Sequence, residues 1–156
     1  NGGFAGEISY AGLAAAVKHG YATASTDTGH RAQGTDASWA LGHPEKIVDF
    51  GYRAIHETAD RGKAIAHAFY GEAPKRSYFN SCSNGGRQAL MEAQRFPDDY
   101  DGIIAGAPAN YWTHLLTAAA YNMRGESPIP RLGPAGLRRG LQSRRRCRGY
   151  PCCHLT

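Results

Sequence analysis

Cysteine is scarce where a folded core would use it. Of the four cysteines in 156 residues, only Cys82 precedes residue 147, and the others are Cys147, Cys152 and Cys153. A dense disulfide scaffold is thereby excluded for the body of the chain, and no C-x-x-C pair or Cys/His spacing suggests a structural zinc site. No run approaches the roughly 18 consecutive apolar residues of a membrane-spanning helix, and no heptad pattern suggests a coiled coil. The chain opens on Asn1-Gly2-Gly3 with no basic-then-apolar stretch resembling an export signal. We therefore expect one domain, or a piece of a longer protein.

What is present fits a globular chain. Hydrophobic residues make up 42%, enough to build a core, and 20 glycines carry no collagen-like period. The net charge of +5 invites a nucleic-acid reading, but the charges are unevenly placed. Residues 1–123 hold 10 Lys and Arg against 12 Asp and Glu; residues 124–156 hold 8 Arg against 1 Glu. The body is mildly acidic, so the overall charge says nothing of what the folded part binds.

Short apolar runs alternate with helical periodicity from Gly2 to about Tyr121. A helix is expected over Ala11–His19, stopped by Gly20, and a short buried strand over Tyr21–Ser25. A polar loop, Thr26–Ser38, follows. Pro44 can open a helix through Ile47, Phe50, Ala54 and Ile55 that continues to Gly71, with Gly62 as a point of division. Ser77–Asn80 reads as a strand, Gly86–Phe96 as a helix stopped by Pro97, Asp98–Asp101 as a turn and Gly102–Ala107 as a buried strand. Helices between short apolar strands point to the α/β class with a parallel sheet. After about Pro130 the apolar period vanishes into Arg, Gly, Pro and Cys, and residues 131–156 are expected to form a basic, disordered tail.

The segment with chemical content is Arg76–Leu90, RSYFNSCSNGGRQAL. A strand ends at Cys82-Ser83, two glycines follow, and a helix begins at once. This is the setting of a nucleophile elbow, in which a strained turn lifts a serine hydroxyl above the sheet edge. Ser83 is the candidate nucleophile, and the Asn84 backbone N–H, at the positive end of the helix, a candidate oxyanion donor. A tight βα turn around a buried Cys82 fits the same residues. Gly2-Gly3-Phe4-Ala5-Gly6 could present a second backbone donor, or be a plain loop. His30 lies in a polar loop after a strand, where α/β proteins gather functional residues. His56 and His67 read as ordinary helix positions, and His19 and His43 as helix ends. Downstream of Ser83 the acids and bases are Asp98, Asp99, Asp101, Glu126, His114 and His154, and no complete triad can be assigned among them.

NSCSNGGRQAL, flanked by GGFAGEISYAGLAAAVKHGYATASTDTGH and RFPDDYDGIIAGAPANYW, resembles the tannase and feruloyl esterase family from about Gly2 to Pro130. The resemblance implies a secreted or periplasmic serine esterase with a partial α/β-hydrolase fold over residues 1–130. Its substrates would be small aromatic esters, feruloyl and other hydroxycinnamoyl esters or galloyl esters. By position, Ser83 matches the nucleophile, and Gly3 and Asn84 match the backbone oxyanion donors. Cys82 matches a cysteine that forms a disulfide with one beside the catalytic histidine. The family also implies a lid after about Ala109–Trp112, often with a calcium site, and a later acid and His-Cys pair. Cys153-His154 has the reverse order and is given no role. The chain is therefore expected to be a fragment lacking the acid and histidine, with no cofactor of its own, inactive as it stands and poorly soluble. The change of character near Pro130 suggests a shifted reading frame. The alternative is a non-enzymatic product whose Arg-rich tail binds nucleic acid.

Overall fold

A computed structural model describes residues 2–123. They fall into two compact units that divide between Ala109 and Asn110. The basic tail, with Glu126, His154 and the last three cysteines, lies outside the described residues.

In the first unit, helix α1 spans Tyr10–Lys18, close to expectation. The Ser9 hydroxyl caps it by accepting from the Gly12 N–H at 3.3 Å. Gly20, with φ of +82°, takes the left-handed turn that ends it. α1 buries none of its residues.

The expected strand over residues 21–25 does not form, and Tyr21 is largely exposed. A strand exists only with a partner ladder, and among the described residues the one parallel ladder lies elsewhere. Apolar composition alone cannot supply that partner.

A continuous helical stretch follows a short 3-10 turn at Ser38–Ala40. It begins with α2, Pro44–Val48, widens into a π-helical segment at Asp49–Arg53 and continues as α3, Ala54–Tyr70. The interruption expected at Gly62 is not there; α3 runs through it, and a Cβ at Gly62 would stand 3.4 Å from that of Ala24. The irregular turn lies earlier because side-chain donors enter the helix there: Arg87 donates to the carbonyls of Phe50 and Gly51 at 2.8 and 2.9 Å. α3 turns Ile55, Ala59 and Ala66 inward and ends on Gly71.

Strand β1, Tyr78–Cys82, pairs in parallel with β2, Gly102–Gly106, from Tyr78 opposite Gly102 to Cys82 opposite Gly106. Helix α4, Asn84–Arg95, connects them and packs on both. This β-α-β crossover is the minimal parallel unit, so the α/β class holds. Among the described residues the buried apolar ones are few and mostly small: Ala5, Phe50, Ile55, Ala59, Ala66 and Ala89. Several large side chains face outward, among them Phe69 and Leu41. In the second unit, α5 spans Trp112–Met123.

Candidate active site

The sharpest backbone feature lies between β1 and α4. Ser83 has φ of +59° and ψ of −122°, a conformation that costs a non-glycine residue about 1–3 kcal/mol. Three hydrogen bonds hold it there. The Ser83 N–H donates to the Gly106 carbonyl at 3.0 Å, and the Ser83 carbonyl accepts from the N–H groups of Arg87 and Ala109 at 3.1 and 3.0 Å. Ser83 is exposed, whereas Asn84, Gly85 and Gly86 directly behind it are buried.

The two glycines are required by close approach. A Cβ at Gly85 would stand 1.9 Å from Ser81 Oγ, and one at Gly86 would stand 2.5 Å from the Gly106 carbonyl oxygen and 2.8 Å from Pro108 Cα. α4 can therefore start immediately after the turn, with its N-terminal N–H groups at the exposed serine.

The Gly2–Gly6 loop is held as a turn. Ala5 N–H donates to Gly2 O at 3.0 Å and Phe4 N–H to Gly34 O at 2.8 Å. Gly3 has φ of +56°, and a Cβ there would strike Gly34 O at 2.3 Å. The loop and the elbow share one support. The Phe4 ring lies 6.1 Å from that of Phe50, and the Arg87 guanidinium sits 4.8 Å over the Phe50 ring. Arg87 Nε also donates to Asn84 Oδ1 at 2.8 Å. Burial pulls the Arg87 pKa below its ordinary value, a sign that the charge is placed here against a solvation cost.

His30 belongs to the same support. It is buried, its Nε2 lies 2.8 Å from the Phe4 carbonyl oxygen, and its ring stacks on Trp39 at 3.7 Å. It ties the loop of residues 26–38 to the glycine loop. Asp101 is engaged by Arg76 and Ser77, and His114 lies on α5 in the second unit. Asp98–Asp101 is a turn, as expected. No acid–histidine pair is assembled at Ser83 among the described residues. Cys82 is half-buried and has no disulfide among them.

Sequence reasoning missed two groupings. One is the Arg87 anchor, which reads in the sequence as an ordinary polar residue in a helix. The other joins His56 on α3, Glu92 on α4 and Asp99 in the turn before β2. His56 Nδ1 lies 2.7 Å from Asp99 Oδ2, and its ring stacks on Phe96 at 3.9 Å. The hydrogen bond to Asp99 raises the His56 pKa. Glu92 is fully buried, and burial first, then the neighbouring Asp99, pushes its pKa up to about 7. This cluster does not fit the calcium implied for a lid, because an imidazole nitrogen has no place in an all-oxygen set.

Comparison with known proteins decides the family. The model of the tannase and feruloyl esterase family matches residues 1–130. The chain belongs to the tannase and feruloyl esterase family. It is 56% identical over 111 residues to an uncharacterized esterase of Xanthomonas campestris, covering 71% of this chain and 19% of that protein. Feruloyl esterase B of Aspergillus niger is 42% identical over 121 residues, 78% of this chain and 23% of the other. Among solved structures, feruloyl esterase B from Aspergillus oryzae superposes with a TM-score of 0.73 at 39% identity, covering 78% of this chain and 24% of that one. Tannin acyl hydrolase from Aspergillus niger gives 0.64 at 31%, over 79% and 25%. The chain thus spans about a fifth to a quarter of the length of these family members.

Proposed function

We propose that this segment carries the nucleophile and oxyanion donors of a carboxylic ester hydrolase acting on small aromatic esters. The acyl group would be feruloyl, another hydroxycinnamoyl, or galloyl, as in the family members named feruloyl esterase and tannin acyl hydrolase. The observation that carries the reading is the exposed, left-handed Ser83, pinned by β2 on one side and opening α4 on the other.

In this reading Ser83 Oγ attacks the ester carbonyl carbon as its proton passes to a base. The carbonyl oxygen becomes an oxyanion, received by the backbone N–H groups of Asn84 and Gly3. Collapse expels the alcohol with that proton and leaves an aromatic acyl ester on Ser83. Water then adds, the acid leaves, and the serine is restored. No acid–histidine pair stands at Ser83 among the described residues, and the 156-residue chain by itself is expected to turn over no ester appreciably. Cys82, one residue before Ser83, would in this reading tie the elbow to another catalytic loop through a disulfide. A secreted or periplasmic setting suits such a bond.

The test is hydrolysis of methyl ferulate and methyl gallate by the protein expressed at family length. Ser83→Ala should lower kcat by about a thousandfold or more with little change in KM. Unchanged turnover in that variant would sink the assignment.

A further inference from the structure

The cluster of His56, Glu92 and Asp99 lies nine residues or more along the chain from Ser83 and takes no part in the proposed reaction. Its three donor atoms, one imidazole nitrogen and two carboxylate oxygens, lie within 4.8 Å of one another. They come from three elements that the fold must hold together: α3, α4 and the turn leading into β2.

Glu92 is what makes this more than a surface group of charges. Its side chain is completely buried, and neither carboxylate oxygen has a hydrogen-bond partner. A buried carboxylate with empty lone pairs is costly, so its place here calls for a cation or a proton. The His56 and Asp99 side chains are 35% and 14% exposed, which leaves solvent access on one side. Lys63 approaches from α3, but its ammonium is bound to the Asp99 backbone carbonyl rather than to Glu92.

We propose that His56 Nδ1, one Glu92 oxygen and one Asp99 oxygen form a binding site for a divalent transition-metal ion of the zinc type. One nitrogen and two carboxylate oxygens are a donor set that zinc accepts and calcium or magnesium does not favour. A fourth position, on the solvent-accessible side, falls to water. Closing the three donors to bonding distance requires His56 and Asp99 to exchange their mutual hydrogen bond for bonds to the metal. The ion would clamp α3 and α4 to the β2 turn and neutralise the buried carboxylate. Its role is structural, and the site stands whether or not Ser83 is a nucleophile.

The experiment titrates the full 156-residue chain with cobalt(II) and reads its visible d–d absorption, then measures thermal unfolding with and without zinc. The expected result is a saturable band at one ion per chain without thiolate charge transfer in the near ultraviolet, and a zinc-dependent rise in Tm. Glu92→Gln, which keeps the shape of the side chain, and His56→Gln, at a half-exposed position, should each weaken binding by about tenfold or more and abolish the rise. If Glu92→Gln does not fold, His56→Gln decides alone. No saturable band, equal affinity in the His56→Gln variant, or a thiolate band marking Cys147, Cys152 and Cys153 as the ligands would overturn the proposal.

Discussion

Replacing Arg87 by methionine tests how the elbow and the glycine loop are held. Methionine fills much of the same space and removes the donors. Three acceptors lose a charged donor: Asn84 Oδ1 at 2.8 Å, the Phe50 carbonyl at 2.8 Å and the Gly51 carbonyl at 2.9 Å. Each such hydrogen bond contributes about 0.5–1.5 kcal/mol net, so three give about 3 kcal/mol. The contact with the Phe50 ring adds roughly 0.5–1 kcal/mol, while the desolvation that depresses the Arg87 pKa is recovered. We expect a net loss of about 2–4 kcal/mol, read as a lower urea midpoint at unchanged slope by far-ultraviolet circular dichroism. Arg87→Lys should recover less than half, because one ammonium cannot reach three acceptors set in a fork. A methionine variant within about 0.5 kcal/mol of the parent would refute the reasoning, as would full rescue by lysine.

Gly86→Ala should lower stability by about 2 kcal/mol or more, since its Cβ meets backbone of Gly106 and Pro108. Gly51→Ala, with nothing within 4 Å of the new Cβ, should instead raise stability by about 0.5–1 kcal/mol, read as a higher urea midpoint. With chelator present, stability should fall as pH rises from about 5 to 8. The native state holds a proton on Glu92 up to about pH 7 that the unfolded chain loses near 4.5, and the His56–Asp99 pair is likewise lost as pH rises through the raised His56 pKa. Urea midpoints across that range should show a slope worth on the order of 1–3 kcal/mol, flattened in Glu92→Gln. The 156-residue chain should release no ferulate from methyl ferulate above the rate of its Ser83→Ala variant; a difference between the two would show a working base within it.

Much of the first unit was legible because its signals are local. Gly20 and Gly71 end α1 and α3 as glycine ends helices, and the alternation of apolar runs with helical periodicity identified β1, α4 and β2. The elbow was legible too, since only small residues fit where Gly85 and Gly86 meet Ser81 and Gly106. What escaped depends on contacts far apart in sequence. Residues 21–25 have strand composition but no ladder to join. The π-helical turn at Asp49–Arg53 follows from Arg87, more than 30 residues later, and no residue within the turn announces it. The pairing of His56 with Asp99 spans 43 residues, and the burial of Glu92 depends on α3 and the β2 turn closing over α4. His30 illustrates the converse: a histidine in a polar loop suggests chemistry, yet its bond to the Phe4 carbonyl and its stacking on Trp39 make it a tie between loops.

The most direct test of Ser83 as nucleophile is covalent capture. The protein expressed at family length is treated with a fluorophosphonate, which reacts with activated serines, and the adduct is located by peptide mass mapping. One adduct per chain on Ser83, with parallel loss of methyl ferulate hydrolysis, is the expected result. Loss of activity with the adduct on another serine and Ser83 unmodified would contradict it.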